Sequence, residues 1–126
     1  MRGHRDLVAW QKAMELVKEI YRATRTFPRE EVYGLTSQLR RAAISVPSNL
    51  AEGHGRSSRK EFHLFIGHAR GSLLEIETQL EIARDLGYLA ASDAARLLAR
   101  ASEVARMVNG LRAWSESEVG ARAADS

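Results

Sequence analysis

Residues 34–55 read GLTSQLRRAAISVPSNLAEGHG, and this stretch decides the fold. Apolar side chains recur in it at steps of three and four, the spacing of one helical face, at Leu35, Leu39, Ala43, Val46 and Leu50. The adjacent side chains of Arg40 and Arg41 leave a helix about 100° apart. They cannot both point into a core, so at least one faces solvent or a partner. The stretch therefore predicts an amphipathic central helix with a basic step.

Pro47 interrupts this helical pattern. Proline lacks the N–H that would bond to the carbonyl of Ala43, and its ring crowds that carbonyl, so we predict a kink or a break near this point. Three polar residues, Ser48, Asn49 and Glu52, follow on the same segment. We expect the Ser48 hydroxyl to meet backbone groups that the proline frees. We also expect Asn49 or Glu52 to make a defined hydrogen bond that fixes helix register or oligomeric state.

A first amphipathic helix is predicted from Asp6 to about Arg25. Its apolar stripe runs through Leu7, Trp10, Met14, Val17 and Tyr21, with Ala13 and Ile20 widening it. Asp6 is the predicted N-cap, and Pro28 ends the helix because a residue before proline leaves the α region. Aromatic residues on an apolar stripe usually belong to the core, so Trp10 and Tyr21 are interpreted as core residues and not as base-stacking platforms.

The third helix is predicted from Arg59 to about Leu86. Ser58 and Glu61 have the spacing of a capping box, and Gly87 stands where a helix C′ glycine belongs. The core stripe alternates steps of four and three through Phe62, Ile66, Ala69, Leu73, Ile76, Leu80 and Ala83. This regular seam is typical of a helical bundle.

Two glycines, Gly67 and Gly71, lie in the middle of this third helix. Each costs a helix about 1 kcal/mol relative to alanine. We therefore expect another backbone to approach closely there, within the bundle or across a subunit contact.

A fourth helix begins at Ser92, its predicted N-cap. Its stripe runs through Ala94, Leu97, Ala101, Val104, Val108 and Leu111. Four such helices with short connections predict an all-α, up-down-up-down four-helix bundle whose second helix is kinked near Pro47. Residues 1–114 are predicted to form this single domain, and residues 115–126, which show no periodicity, are predicted to be a disordered tail.

Composition excludes several classes of protein. The 126 residues are 44% hydrophobic and 28% charged, which is ordinary for one globular domain. Without cysteine there are no disulfides or thiolate metal sites. The N-terminus MRGHRDLVAWQKAM has charges in every apolar run, so we expect neither a signal peptide nor a membrane span. The expected compartment is the cytoplasm.

Catalytic and metal-binding patterns are also missing from the sequence. It contains neither the Glu-x-x-His of di-iron bundles nor HEXXH. His63 and His68 are five residues apart, which places them about 140° apart on a helix. Ser45 and Ser48 lack the G-x-S-x-G context of a nucleophile. We therefore predict no metal site, no cofactor and no enzymatic activity.

Basic residues are concentrated in the first half of the chain. Through Lys60 there are twelve Lys or Arg against six Asp or Glu, whereas from Glu61 onward there are seven against ten. The candidate nucleic-acid-binding residues are Arg40, Arg41, His54, Arg56, Arg59 and Lys60. The last three flank a helix N-terminus, where backbone N–H groups already favour phosphate. Either an anionic partner binds this half, or subunits pair a basic face with an acidic one.

Two long motifs carry a family resemblance: QLRRAAISVPSNLAEG and, after it, EFHLFIGHARGSLLEIETQLEIARDLGYL. They resemble the four-helix-bundle family encoded in intervening sequences of bacterial large-subunit ribosomal RNA genes, which is similar to the accessory variability protein of diversity-generating retroelements. The likeness runs from about Leu7 to Leu111. It implies a barrel-like homopentamer with a nucleic-acid role, and it implies no catalytic residues.

The leading hypothesis is a non-enzymatic homo-oligomer that binds RNA or DNA through basic surfaces. The alternative is a protein-protein interaction scaffold without nucleic-acid binding, in which the basic half contacts the acidic half of a neighbouring subunit or of a partner protein.

Overall fold

The computed structural model describes residues 3–117, which form an up-down-up-down bundle of four helices. The helices are α1 (Val8–Thr24), α2 (Leu35–His54), α3 (Arg59–Asp85) and α4 (Ala91–Glu116). Short 3-10 turns at His4–Asp6 and Arg29–Glu31 precede α1 and α2. Each helix packs against two others, since α1 and α3 both contact α2 and α4. No strand occurs within residues 3–117, so the all-α fold class is confirmed.

All four helices contribute to one continuous hydrophobic core. The stripes predicted for α2, α3 and α4 are buried as expected, except for one half-buried member at an end of each: Leu35, Phe62 and Leu111. These three stripes were identified from spacing alone, so the 3.6-residue period of apolar side chains is enough to give the inward faces of these helices.

The predicted stripe of α1 is buried only in part: Leu7, Ala13 and Ile20 are buried, whereas its other members are half-buried. The side chains that point into the core are those of Ala9, Ala13, Leu16, Ile20 and Thr24. Trp10 and Tyr21, which were interpreted as core residues, are half-buried. Trp10 lines the groove between α1 and α2, and Tyr21 contacts Arg40 of α2. Small alanines let α1 approach the core closely, while its wide aromatic side chains cover the seam with α2.

The predicted signals at both ends of α3 are confirmed. The Ser58 hydroxyl accepts a hydrogen bond from the Glu61 N–H at 3.1 Å, as an N-cap does. Gly87 has φ +79°, and the N–H of Tyr88 donates to the Ala83 carbonyl at 2.9 Å. This is the Schellman arrangement that a C′ glycine permits.

The predicted caps of α1 and α4 are wrong. Asp6 lies in a 3-10 turn, and the N-cap of α1 is the extended residue Leu7. Ser92 is inside α4, which starts after Ala90, and neither helix has a side-chain cap. Leu7 and Leu89 are both buried, so tertiary anchoring of a leucine sets the start of each helix in place of cap chemistry.

Glu31 provides a side-chain cap at the start of α2. Its Oε1 accepts a hydrogen bond from the Leu35 N–H at 3.1 Å. Its Oε2 accepts one from the Tyr88 hydroxyl at 3.0 Å, and this bond raises the pKa of Tyr88 above its ordinary value. One carboxylate thereby links the start of α2 to the connection between α3 and α4.

Pro47 is buried inside α2, and the helix continues through it to His54. The helix is therefore not broken at the proline. A kink within the continuous helix stays a prediction. The backbone of Gly53, the last residue but one of α2, lies against α3. A Cβ added at Gly53 would lie 3.0 Å from the Cβ of Phe65, so this glycine is where the two helices approach closely.

Gly67 and Gly71 do not mark a close approach within the bundle. A Cβ added at either position would meet nothing within 4 Å. The close approach of another backbone within the chain, which we expected at both glycines, is therefore wrong. A subunit contact at these glycines stays a prediction.

The last helix extends beyond the predicted domain boundary. Ser115 and Glu116 were assigned to the tail, yet both are helical and Ser115 is buried. Residues 118–126 of the predicted tail lie outside the described residues. Within residues 3–117, no helix is both long and apolar enough to cross a membrane.

Candidate nucleic-acid interface

The predicted basic residues do not form one site. Arg40 and Arg41 lie in the first half of α2. We name the other four the loop-end cluster, since they surround the connection between α2 and α3: His54, Arg56, Arg59 and Lys60. Helix rise places Arg41 roughly 20 Å from His54. Any ligand that contacts both groups must therefore extend along the α2–α3 face.

Arg40 is half-buried between α2 and α1. Its Nε donates to the Thr24 hydroxyl at 2.8 Å, and its guanidinium carbon lies 4.5 Å from the centre of the Tyr21 ring. The Tyr21 carbonyl accepts a longer bond from Arg40 at 3.5 Å. Thr24 is the last residue of α1, so the cation also interacts favourably with the negative end of that helix dipole. Arg40 therefore ties α2 to α1.

We expect Thr24→Val to destabilise the protein by about 1–3 kcal/mol. The substitution keeps the side-chain shape but removes the hydroxyl that accepts from Arg40, leaving a half-buried N–H without that partner. The free energy of unfolding in urea measures the effect. Thr26→Val is the matched control, since Thr26 is exposed at the same end of α1 and bonds only the nearby Ala23 carbonyl. Equal stability of the two variants would contradict this role of Thr24.

Two members of the loop-end cluster already interact with other residues of the chain. Arg56 forms ion pairs with Glu52 at 3.5 Å and with Glu61 at 3.9 Å, and its guanidinium lies over the Phe65 ring at 5.0 Å. These pairs are exposed, so solvent screens them and a phosphate can compete for Arg56. Arg59 donates to the Ser115 carbonyl at 3.1 Å, across the end of α4.

His54 and Lys60 have no hydrogen-bond or ion-pair partner for their side chains within the described part of the chain. The Lys60 side chain is exposed and His54 is half-buried. His54 lines a cleft of about 220 Å³ together with Trp114, whose side chain is 45% exposed. The Trp114 indole contacts the Phe62 ring edge to face, with centroids 6.2 Å apart. An exposed aromatic ring beside cations is the usual composition of a single-strand binding surface.

Trp114 was not identified from the sequence as a candidate site residue. The tail prediction began at residue 115, so the last turn of α4 was not recognised as packed against α3. The available signal was a tryptophan that stands outside the apolar stripe of α4.

A second feature missed from the sequence is a basic stripe on α1. Lys18, Arg22 and Arg25 are spaced at i, i+4 and i+7, which places them on one face. All three are exposed, and none forms an ion pair among residues 3–117. We name them the α1 stripe. Arg41 is also exposed and forms no ion pair among these residues. It directly follows Arg40, which contacts Thr24, so Arg41 lies at the same end of the bundle as Thr24.

On the face between α1 and α4, unlike in the α1 stripe, cations form ion pairs. Glu19 pairs with Arg96 at 3.2 Å and with Arg100 at 3.4 Å, and Glu15 pairs with Arg100 at 3.7 Å. Cations on this face are neutralised by acids of the same chain. Arg22 lines the same cleft as Glu19, but no member of the α1 stripe forms an ion pair within residues 3–117, so the charge of the stripe is available to a partner.

The polar residues near Pro47 have different surroundings. The Asn49 amide donates to the Ser45 carbonyl at 2.8 Å and to the Ser45 hydroxyl at 2.9 Å. Glu52 forms its ion pair with Arg56, one turn away. Ser48 is exposed and no side-chain hydrogen bond joins it to another described residue, so the backbone contact expected for its hydroxyl is absent. Whether Asn49 fixes helix register stays a prediction.

The histidines are not assembled for metal binding in the described part of the chain. No three His, Asp or Glu side chains come together among residues 3–117. His63 Nδ1 lies 3.0 Å from the Ser115 hydroxyl, and its Nε2 lies 3.6 Å from Glu116. This ring serves the contact between α3 and the end of α4.

Comparison with known proteins identifies the family. No curated protein matches the chain. A family model described as "23S rRNA-intervening sequence protein" matches residues 5–110. That span covers the four-helix bundle from the first 3-10 turn to the last turns of α4. The chain therefore belongs to the family of 23S rRNA-intervening sequence proteins.

Proposed function

We propose that this protein is a non-enzymatic homo-oligomer, pentameric as the family resemblance implies, that binds RNA or DNA through exposed basic surfaces. The observation that carries the proposal is the α1 stripe with Arg41: four exposed cations without an acidic partner among the described residues. Exposed cations without acidic partners attract a polyanion, because each phosphate contact releases a counterion from the nucleic acid.

The loop-end cluster provides a second, weaker contact in this proposal. Lys60 and His54 offer free donors, and Arg56 exchanges its exposed glutamate pairs for phosphate. Trp114 offers a ring on which an unpaired base stacks. Arg40 acts indirectly, by holding α2 against α1.

Assembly supplies affinity in this mechanism. Each subunit has only a few phosphate contacts, which bind weakly, but a ring repeats them at fixed spacing around one nucleic acid. The second and later contacts are then intramolecular and gain from a high effective concentration. Binding of this kind is independent of sequence and weakens steeply as salt increases.

The alternative function, a protein scaffold, is favoured by one observation on α3. Leu64, Leu74 and Ile82 are all exposed on the outer side of this helix. Apolar side chains exposed along the outer side of one helix give a partner protein apolar area to bury. Light scattering with and without RNA separates the two functions, because a scaffold oligomerises and ignores RNA at low salt.

The proposed function predicts the effect of removing the α1 stripe. We expect the triple variant Lys18→Ala, Arg22→Ala, Arg25→Ala to lower the slope of log affinity against log salt by roughly 2, at about 0.7 for each lost contact with a single strand. Fluorescence anisotropy with a labelled 20-nucleotide RNA between 50 and 200 mM salt measures this slope.

The matched control removes three cations from α4. Arg96→Ala, Arg100→Ala, Arg106→Ala changes the net charge equally, but two of its arginines are paired with acids and the third bonds the Ser102 hydroxyl. The control should keep most of the salt slope. If both triple variants lose it equally, only net charge matters and the α1 stripe is not the binding surface.

A further inference from the structure

The outer side of α3 carries a second stripe at helical spacing, opposite the stripe that faces the core. Its members follow one another at steps of three and four residues: Leu64, Gly67, Gly71, Leu74, Thr78 and Ile82. They spread over roughly 80° of the helix circumference. The leucines and the isoleucine are between 43% and 55% exposed. Since the outer face of a bundle helix is normally polar, an apolar seam there indicates a partner helix.

Two glycines leave a depression in the middle of this outer stripe. A Cβ added at Gly67 or Gly71 would meet nothing within 4 Å. Without side chains at these positions, the backbone of another helix can approach closely. Leu74 projects from the same stripe one turn after Gly71. The stripe thus has a projecting side chain next to a depression, which makes it complementary to a reversed copy of itself.

The charges of α3 are divided between its two halves. Up to Ser72 the helix contains three Lys or Arg and one Glu, and after Ser72 it contains four Asp or Glu and one Arg. Asp85 pairs with its exposed neighbour Arg84 at 3.1 Å, a contact that solvent screens. Five further charges form no ion pair within residues 3–117: Lys60, Arg70, Glu75, Glu77 and Glu81. A parallel pair of α3 helices would bring like charges together, whereas an antiparallel pair places each basic half against an acidic half.

We propose that the outer face of α3 binds the same face of a second copy of this chain, with the two helices antiparallel. The proposal goes beyond the proposed function and does not rest on nucleic-acid binding. A two-fold axis midway between Gly71 and Leu74 sets the register, so that Leu74 of each copy enters the depression at Gly71 of the other. Helices with this kind of seam cross at about 20° and approach to roughly 8 Å where small residues meet.

The same register also pairs the charges. Lys60 and Asp85 lie equally far from the two-fold axis, roughly 19 Å along the helix in opposite directions, so Lys60 of one copy faces Asp85 of the other. Arg70 and Glu77 follow His63 at steps of seven, and His63 contacts Ser115 of α4. These two residues therefore lie on the side of α3 towards α4. In an antiparallel pair the same sides of the two helices meet, so Arg70 of each copy reaches Glu77 of the other.

This contact is separate from one that closes a ring. A two-fold contact uses the same surface of both chains, whereas a ring of five needs a head-to-tail contact between two different surfaces. Pairing through α3 therefore joins two free chains, or one chain from each of two rings. It does not depend on how many subunits a ring contains.

Disulfide cross-linking tests the contact cleanly, because the chain contains no cysteine. Gly67 and Thr78 lie equally far from the two-fold axis on the middle of the stripe, so cysteines at these two positions of opposite copies come within disulfide reach. Two cysteines at the same position are roughly 16 Å apart along the helix, which is too far. The variants Gly67→Cys and Thr78→Cys are equilibrated together without RNA and oxidised. We expect a disulfide-linked dimer on a non-reducing gel from the mixture, and none from either variant alone.

Two controls accompany this experiment. Gly71→Leu, added to both cysteine variants, should abolish the cross-link, because the larger side chain fills the depression that Leu74 enters. It should not impair folding, since an added Cβ there meets nothing within 4 Å, and a thermal melt checks this. Gln11→Cys mixed with Thr78→Cys measures random collision, because Gln11 is exposed on α1. This second mixture should give no dimer.

Four results would overturn the proposal: no dimer from the mixture, a dimer from Thr78→Cys alone, a cross-link that survives Gly71→Leu, or as much dimer with Gln11→Cys. The first would assign the outer face of α3 to a protein of different sequence, and the second would mean parallel pairing. Failure of the proposed function is a different result, because a protein that does not bind RNA would still give the cross-link.

Discussion

Leu73→Ala is expected to lower the free energy of unfolding by about 2–5 kcal/mol. Leu73 is 1% exposed and lies on the central seam of α3. Its removal loses the transfer free energy of the side chain and leaves a cavity that four packed helices cannot fill by moving. Because a small domain is stable by about 5–15 kcal/mol, this single change removes a large part of the total. Urea denaturation followed by circular dichroism measures the loss.

Leu74→Ala is the matched control for this prediction. Leu74 is the next residue of the same helix, and it is 55% exposed. Its truncation should cost below about 1 kcal/mol in the monomer, since little apolar area returns to water. Comparable losses in the two variants would mean that α3 is rotated from the orientation described. A lower oligomer mass in Leu74→Ala alone would place a subunit contact on the outer side of α3.

Gly53→Leu is the second substitution with a large expected effect, a loss of about 1–3 kcal/mol. A Cβ at this position would lie 3.0 Å from the Phe65 Cβ and 3.5 Å from the Phe62 carbonyl oxygen. Both neighbours belong to α3, so the larger side chain can be accommodated only if α2 and α3 separate. This separation would also displace Arg56, whose guanidinium lies over Phe65.

Gly71→Leu provides the comparison for Gly53. The position is helical and exposed, and an added Cβ there would meet nothing within 4 Å. The substitution should raise monomer stability by up to about 1 kcal/mol, because leucine has the higher helix propensity. A wild-type melting temperature for Gly53→Leu would contradict the close approach of α2 to α3.

Prediction of the fold from the sequence succeeded where the signals are local. The inward faces of α2, α3 and α4 follow from spacing, and both ends of α3 follow from Ser58 and Gly87. Prediction failed where contacts with another part of the chain determine the local structure. The inward face of α1 and the starts of α1 and α4 depend on which side chains fit between neighbouring helices, as Trp10 and Leu89 illustrate.

The candidate site was predictable only as a set of residue types. Spacing put Arg40 and Arg41 on α2, but it could not reveal that Thr24 of another helix holds Arg40 while Arg41 stays free. Likewise, the sequence contains Trp114 but does not indicate that it lines the same cleft as His54. Such pairings join residues far apart in the chain, and no local rule specifies them.

The sequence by itself determined that this chain forms four amphipathic helices, because the period of apolar residues and the conformational preferences of serine, proline and glycine act over a few neighbouring residues. Only the tertiary structure decided which charges are neutralised and which are available to a partner. It also decided that Gln79 is buried without a donor. The physical reason is that hydrogen bonds and ion pairs depend on distances of 3–4 Å across helix seams, which are fixed only when all four helices pack together.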